Sequence, residues 1–262
     1  MMGKLLFLGT GASMGIPVLG CGCEVCHSSS TFNQRLRPSA LVKTHFKQFL
    51  IDVGPDFRLQ ALRHRIHALD GVILTHAHQD HTAGIDDLRP IYYKRITPLP
   101  ILLSEITRID IQQRYHYLFA TEKKDFIQRL HLQTLPSIQE GSVTFGGTSI
   151  HYMTYEQGGM AVNGFRFGDL AYLSDIRTFP QTIFNQLQDL KILVISALKY
   201  TASQLHFSID EALDFANKIG AESVWLTHLS HELDHDKVNA YLPKHVRLAY
   251  DGLEIEFNDY KE

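Results

Sequence analysis

Residues 76–81 read His76-Ala77-His78-Gln79-Asp80-His81 and directly follow the short apolar run at 71–75. That run has the length and composition of a buried strand, which places the six residues in the loop at its end. Imidazole is the commonest metal ligand at neutral pH, and carboxylate is a hard oxygen ligand. Four such groups packed into six loop residues cannot all reach one ion. They can supply two neighbouring ions, with His76 and His78 on one and Asp80 and His81 on the other. Two ions about 3.5–4 Å apart can clamp a phosphoryl or carbonyl group between them. Polar residues just past apolar runs are where α/β active sites gather.

The rest of the chain alternates strand and helix patterns. Strands are expected at residues 4–8, 39–44, 48–52, 143–155, 164–173, 192–198 and 223–227, with one or two more across 246–257. The first strand runs into Gly9-Thr10-Gly11-Ala12-Ser13. Residues 56–66 read as a helix, and residues 84–130 as mostly helical. Ser208-Ile209-Asp210-Glu211 has the capping-box form, Ser at the N-cap and Glu three residues on, and leads a helix to Lys218 with Gly220 as its C-cap. Strands alternating with helices, with antiparallel hairpins mixed in, predict a layered α/β sandwich. One domain is expected over residues 1–262, with a helical insert at about 92–138.

A chain of 262 residues with 44% apolar and 20% charged residues can bury a sizeable core without disulfides. No apolar run approaches the roughly 18–20 residues of a membrane span. The apolar stretch at 5–8 is shorter than the about 7–15 residues of a signal-peptide core. A cytoplasmic protein with reduced thiols is therefore expected. The net charge of −3 argues against a nonspecific nucleic-acid binder. The three cysteines, Cys21, Cys23 and Cys26, lie within six residues, a spacing that in a reduced compartment points to metal more than to disulfide. Cys₃His is one standard ligand set for a closed, tetrahedral zinc site.

The His-rich loop resembles the H-x-H-x-D-H hallmark of the metallo-β-lactamase superfamily. The resemblance extends to Gly9–Pro17, to Cys21-Gly22-Cys23-Glu24-Val25-Cys26, and to Arg35-Leu36-Arg37-Pro38-Ser39. It continues through Ile51-Asp52-Val53-Gly54-Pro55-Asp56-Phe57-Arg58, Gly84-Ile85-Asp86-Asp87-Leu88-Arg89, His206-Phe207-Ser208, Thr227-His228-Leu229-Ser230-His231 and Ala249-Tyr250-Asp251-Gly252-Leu253. The series is similar to the PhnP-type branch, phosphodiesterases that open 5-phosphoribosyl 1,2-cyclic phosphate.

This resemblance implies an αββα sandwich, two mixed sheets flanked by helices, and two divalent ions, zinc or manganese, holding a hydroxide that attacks phosphorus. It implies Asp175 as a ligand bridging both ions, His228 as a ligand to the second, Asp80 as a group orienting the nucleophile, and His206 as proton donor to the leaving group. It also implies His231 as fourth ligand to a structural zinc on the three cysteines. Gln157 stands where the branch carries a further His ligand. An amide oxygen is the weaker ligand, so the first ion is expected to be held less firmly. Glu156 could swing in if the strand end is irregular. His151 shares the strand face but lies six residues back, about 20 Å along a strand. Arg35, Arg37, Arg58 and Arg89 could each grip a phosphate or serve as salt-bridge partners.

The expected partner is a small phosphorylated substrate, with no membrane and no nucleic acid. Residues 92–130 offer either a lid or a dimer surface, and a homodimer is open to the chain. Rival readings are a tRNA 3′-processing-like endonuclease, a PQQ-synthesis-type accessory protein with an altered metal site, and a thioester or lactone hydrolase.

Overall fold

The computed structural model describes residues 2–45, 47–119 and 129–259. The chain begins with an antiparallel meander, β1 (Met2–Gly9), β2 (Ser39–Lys43) and β3 (Gln48–Ile51). The same sheet then grows by parallel addition of β4 (Gly71–Ile73), β5 (Leu99–Leu103) and β6 (Leu130–Thr134). A second sheet reverses that plan only in sequence. Its antiparallel half is β7 (Glu140–Phe145), β8 (Thr148–Gln157), β9 (Met160–Phe167) and β10 (Leu170–Leu173). Its parallel half adds β11 (Ile192–Ser196), β12 (Ser223–Thr227) and β13 (Val246–Leu248). The last strand, β14 (Glu254–Asn258), returns to pair with β1, so each sheet has seven strands among the described residues.

Side-chain alternation explains the layering. Phe7, Val42, Phe49 and Ile73 of the first sheet meet Tyr152, Phe165, Tyr172 and Val194 of the second. The alternate residues Leu8, Leu50, Val72 and Ile101 pack outward with Phe57 of α1 (Phe57–Arg63) and Leu88. Leu173, Ile195 and Leu226 do the same on the other side, against the apolar face of a later helix, Ile209–Ile219. Strands buried on both faces read as continuous apolar runs, as residues 71–75 and 192–196 do. The result is the αββα sandwich of two mixed sheets.

The 84–130 reading needs correction. After α2 (Gln79–Thr82) it contains a 3-10 turn at Ile85–Leu88, α3 (Arg89–Tyr92), and then α4 (Glu105–Arg114) and α5 (His116–Phe119). Between them Leu99-Pro100-Ile101-Leu102-Leu103 is a sheet strand. A five-residue apolar run fits either a strand or a buried helical turn, and parallel pairing with β4 decides it here. The supposed helical insert at 92–138 thus gives β5 and β6 to the first sheet, and its residues 120–128 lie outside the described residues. The single strand expected at 143–155 is a hairpin, because Gly146 and Gly147, with φ of 57° and 85°, form the two-residue turn that joins β7 to β8. Past α6 (Ile183–Gln186), α7 (Ile209–Ile219) has both halves of the capping box at Ser208 and Glu211, and it ends at Gly220 with φ 72°. No helix among the described residues is long and apolar enough to cross a membrane.

Candidate metal centre

Four strands of the two sheets deliver polar residues to one edge. Asp52 follows β3, the His-rich loop follows β4, Asp175 follows β10 and His228 follows β12. Asp52, Asp175 and His228 each adopt a left-handed backbone, with φ of 58°, 55° and 58°. That conformation costs a non-glycine residue about 1–2 kcal/mol. It turns the chain sharply at the strand end, where the side chains converge.

They converge as two triads, His76-His78-Asp175 and Asp80-His81-His228, with Asp175 also close to His81 and His228 of the second, and Asp175, His206 and His228 form a further overlapping group. His76 Nε2 stands 3.0 Å from His78 Nδ1 and 3.7 Å from Asp175 Oδ2. Asp80 Oδ2 is 3.4 Å from both His81 Nε2 and His228 Nε2. His228 Nε2 is 3.3 Å from Asp175 Oδ1, and His81 Nε2 is 3.6 Å from Asp175 Oδ2. Bonds of about 2.0–2.1 Å to a tetrahedral ion set neighbouring ligand atoms about 3.3–3.4 Å apart. The spacing and the donor set fit divalent ions, and His81 Nε2 is a buried nitrogen with no hydrogen-bond partner.

The imidazoles are aimed from behind. Thr75 N–H and Oγ1 donate to the Asp52 carboxylate at 2.8 and 2.9 Å, and His81 Nδ1 donates to it at 2.7 Å. With its proton on Asp52, Thr75 Oγ1 accepts from His76 Nδ1 at 2.9 Å. Both imidazoles therefore turn Nε2 toward the centre, the usual outer support of a metal-binding histidine. Arg114, in the last turn of α4, donates to Ala77 O at 2.6 Å and Thr82 Oγ1 at 3.1 Å and so pins the loop. Asp52 and Arg114 were not assigned roles from sequence. Asp52 could have been found as the polar residue ending a strand, whereas Arg114 carries no local signal.

Burial drives His76 well below the usual imidazole range, with help from His81. Burial also opposes the charge on His81 and His228, but Asp80 and Asp175 outweigh it and raise both. For Asp80 and Asp175 burial works against ionisation, and the facing imidazoles overcome it, holding both carboxylates well below their usual range.

Gln157 is buried at the end of β8. Its Nε2 donates to Asp175 Oδ2 at 2.9 Å and to His206 Nε2 at 2.9 Å, while Oε1 is buried without a partner. The amide thus presents its donor end to the Asp175 carboxylate. Glu156 does not swing in. It is exposed, and its backbone pairs with Thr178. His151 bonds Ser142 Oγ at 2.9 Å, on β7. Replacing Gln157 by His should raise metal affinity at the first triad by about 10–100-fold, at least the effect of an outer-shell partner. Calorimetric metal titration of both forms checks this, and equal affinities would show that the position does not face an ion.

His206, expected as a proton donor, is stacked on His228 with ring centroids 4.9 Å apart. Burial pushes its imidazole down to about 4. It is neutral at neutral pH and accepts the Gln157 amide N–H.

Cys21, Cys23 and Cys26 lie 3.2, 3.5 and 3.7 Å by their Sγ atoms from His231 Nδ1. These four form a separate group able to hold an ion. The Cys26 N–H lowers the Cys23 thiol to about 6, and burial raises Cys26 to about 11. Of the four arginines, Arg35 is buried and donates to Ser230 O at 3.1 Å and Leu233 O at 2.7 Å, a structural role. Arg37 pairs with Asp56 at 3.0 Å and Arg89 with Asp86 at 3.0 Å. Arg58 is exposed and lines a different cavity with Ala61, Leu62 and Pro90.

Residues 47–229 match the family model for the beta-lactamase superfamily domain. The chain is 35% identical to the crystal structure of a new diphosphatase from the PhnP family, which it matches over 98% of both chains with a TM-score of 0.91. It is 34% identical over 254 residues to an octanoyltransferase from Porphyromonas gingivalis. That match takes in 96% of this chain but 51% of the relative, so the chain spans about half that relative's length. Zinc-bound PqqB from Methylobacterium extorquens is 14% identical, with a TM-score of 0.76 over 96% of this chain and 99% of that one, a likeness of fold alone. The chain belongs to the beta-lactamase superfamily, in its PhnP-type branch, and has the metallo-β-lactamase fold.

Proposed function

We propose that this protein hydrolyses a small phosphoester at the centre formed by His76, His78, Asp80, His81, Asp175 and His228. The substrate to try first is a cyclic phosphodiester such as a ribose cyclic phosphate. The observation that carries the reading is a pair of adjacent triads, with Asp175 of the first 3.6 Å from His81 and 3.3 Å from His228 of the second, a spacing suited to two divalent ions and to a phosphoryl group between them. Divalent ions bound there supply Lewis acidity and neutralise charge on the phosphate oxygens. Asp80 keeps its carboxylate ionised at the outer side of the centre, where it accepts a proton from, and orients, an attacking water. His206 stands beside His228 and Asp175, and once protonated it serves the leaving oxygen. Gln157 steadies Asp175 and His206 through its two N–H groups. The structural zinc on Cys21, Cys23, Cys26 and His231 belongs to the same proposal.

A diphosphate is the second reading, favoured by the 35% identity to a PhnP-family diphosphatase. The test is phosphorus NMR of the metal-loaded protein with 5-phosphoribosyl 1,2-cyclic phosphate and, separately, with a nucleoside diphosphate. Turnover of one of them is expected, with loss on treatment with a chelator and recovery on adding zinc or manganese. Hydrolysis of neither, or hydrolysis indifferent to the chelator, would overturn the proposal.

A further inference from the structure

We propose that a cavity beside the metal loop is a subsite for the uncharged organic part of the substrate, a nucleoside; this rests on the phosphoester reading above. The cavity has a volume of about 360 Å³ and is lined by Ser104, Ile106, Leu135, Ile138, Thr154 and Asn163 among others. That lies within the range of small-molecule sites, about 300–1,000 Å³. It opens where β5 and β6 end, at the same edge as the His-rich loop, because β4, β5 and β6 are parallel. Ligands of α/β sheets bind at that edge.

Two connections tie the cavity to the metal centre. Asn163 N–H donates to Thr75 O at 2.9 Å, and Thr75 immediately precedes His76. Ser104 caps α4, whose last turn carries the Arg114 that holds Ala77. One helix of ten residues, about 15 Å long, therefore joins the cavity wall to the loop.

The lining identifies the chemistry. It includes no Lys, Arg or His, and Glu105, its one charged residue, is held by Arg108 Nε at 2.8 Å. Such a wall does not select a second phosphate. Ile106 and Ile138 are 60% and 61% exposed, apolar surface suited to the face of a flat ring. Asn163 is 2% exposed; its Nδ2 is used on Thr154 Oγ1 at 2.9 Å, and its Oδ1 has no partner. A buried carbonyl oxygen left unpaired calls for an N–H or O–H donor. A nucleoside offers the flat face, the donor and the neutrality together.

A matched pair of esters tests this. The p-nitrophenyl ester of thymidine 5′-monophosphate and methyl p-nitrophenyl phosphate release the same leaving group, and only the first carries a nucleoside. The wild-type protein should show kcat/KM at least about 10-fold higher for the thymidine ester, the lower end of what one good pocket contact gives. Ser137 lines the cavity and is exposed, so Ser137→Trp fills the space without entering the core. This variant should bring the thymidine ester down to the methyl ester's value and leave the methyl ester unchanged. Equal rates on both esters in the wild type, or an equal fall on both in the variant, would overturn the subsite. Calorimetry with thymidine alone gives an arm that needs no turnover: binding to the wild type and not to Ser137→Trp is expected, and no binding to the wild type counts against the proposal. If thymidine binds while the metal-loaded protein cleaves neither ester, the phosphoester reading fails and the subsite stands.

Discussion

Asp175→Ala is expected to abolish hydrolysis and to remove both active-site ions together. Asp175 reaches both triads, with Oδ2 toward His76 and His81 and Oδ1 toward His228. Ser174 Oγ and Gln157 Nε2 hold the two oxygens in that posture at 2.8 and 2.9 Å. Losing an outer-shell partner costs about 10–100-fold in metal affinity, and a carboxylate shared by two ions should cost more at each. The facing imidazoles would also lose the negative charge that raises His81 and His228. Asp80→Ala touches the second triad alone, so it should leave the first ion in place and still stop turnover. Elemental analysis separates the two variants, with near-complete loss of active-site metal expected for the first and loss of one equivalent for the second. The core lies between the sheets and under the helices, away from the strand-end loops, so near-ultraviolet circular dichroism should be unchanged in both. Unchanged turnover in either variant would sink the metal-centre assignment.

How legible each part was depends on the distance in sequence over which its physics acts. The His-rich loop is local: four candidate ligands within six residues, behind a strand buried on both faces, read as a metal loop without a fold. The capping box at Ser208 is equally local, and the structure forms it in full. Asp175 and His228 were legible only as polar residues past apolar runs, with the family resemblance adding their roles, because what joins them is the pairing of β10, β11 and β12. The strand at Leu99–Leu103 was missed for the same reason, since its five apolar residues acquire strand geometry from β4 and β6. The Gln157 contacts could not be read at all. Whether an amide in a histidine's place turns its oxygen or its nitrogen to the centre depends on Asp175 and His206, which arrive 18 and 49 residues later. Arg35 reads as a phosphate-binding candidate in sequence, and only its burial under Ser230 and Leu233 shows it to be a strut.

That strut belongs to the region where the second large effect is expected. Cys23→Ser should remove one equivalent of zinc and lower thermal stability, because structural zinc contributes directly to folding free energy. The segment around the cysteines has little else to hold it: its apolar cluster is Ile16, Val25 and Cys26, with Val18, Cys21 and Cys23 partly buried against them. Backbone N–H groups of Cys26 and Val18 reach Cys23 Sγ at 3.4 Å and Cys26 Sγ at 3.3 Å, contacts that favour thiolate over thiol. A loss of about 3 kcal/mol, in the range typical of losing a metal or a core contact, would lower Tm by about 6–12 °C at roughly 2–4 °C per kcal/mol. The effect should also travel to the active site. Leu229 pairs with the N-terminal loop through Ala12 N–H and Thr10 O, both at 2.9 Å, and it lies between His228 of the second triad and His231 of the cysteine group. Freeing His231 therefore loosens the turn that aims His228, and the second active-site ion should bind more weakly in Cys23→Ser than in the wild type. Two measurements distinguish the two losses: elemental analysis of the purified variant should already show the cysteine-bound zinc missing, and chelator titration should then remove the second active-site ion at a lower concentration than in the wild type. A variant with full zinc content and an unchanged melting temperature would show that the cysteines hold no ion, and would leave the hydrogen bonds of Arg35, Asn33 and Leu229 to join the two loops.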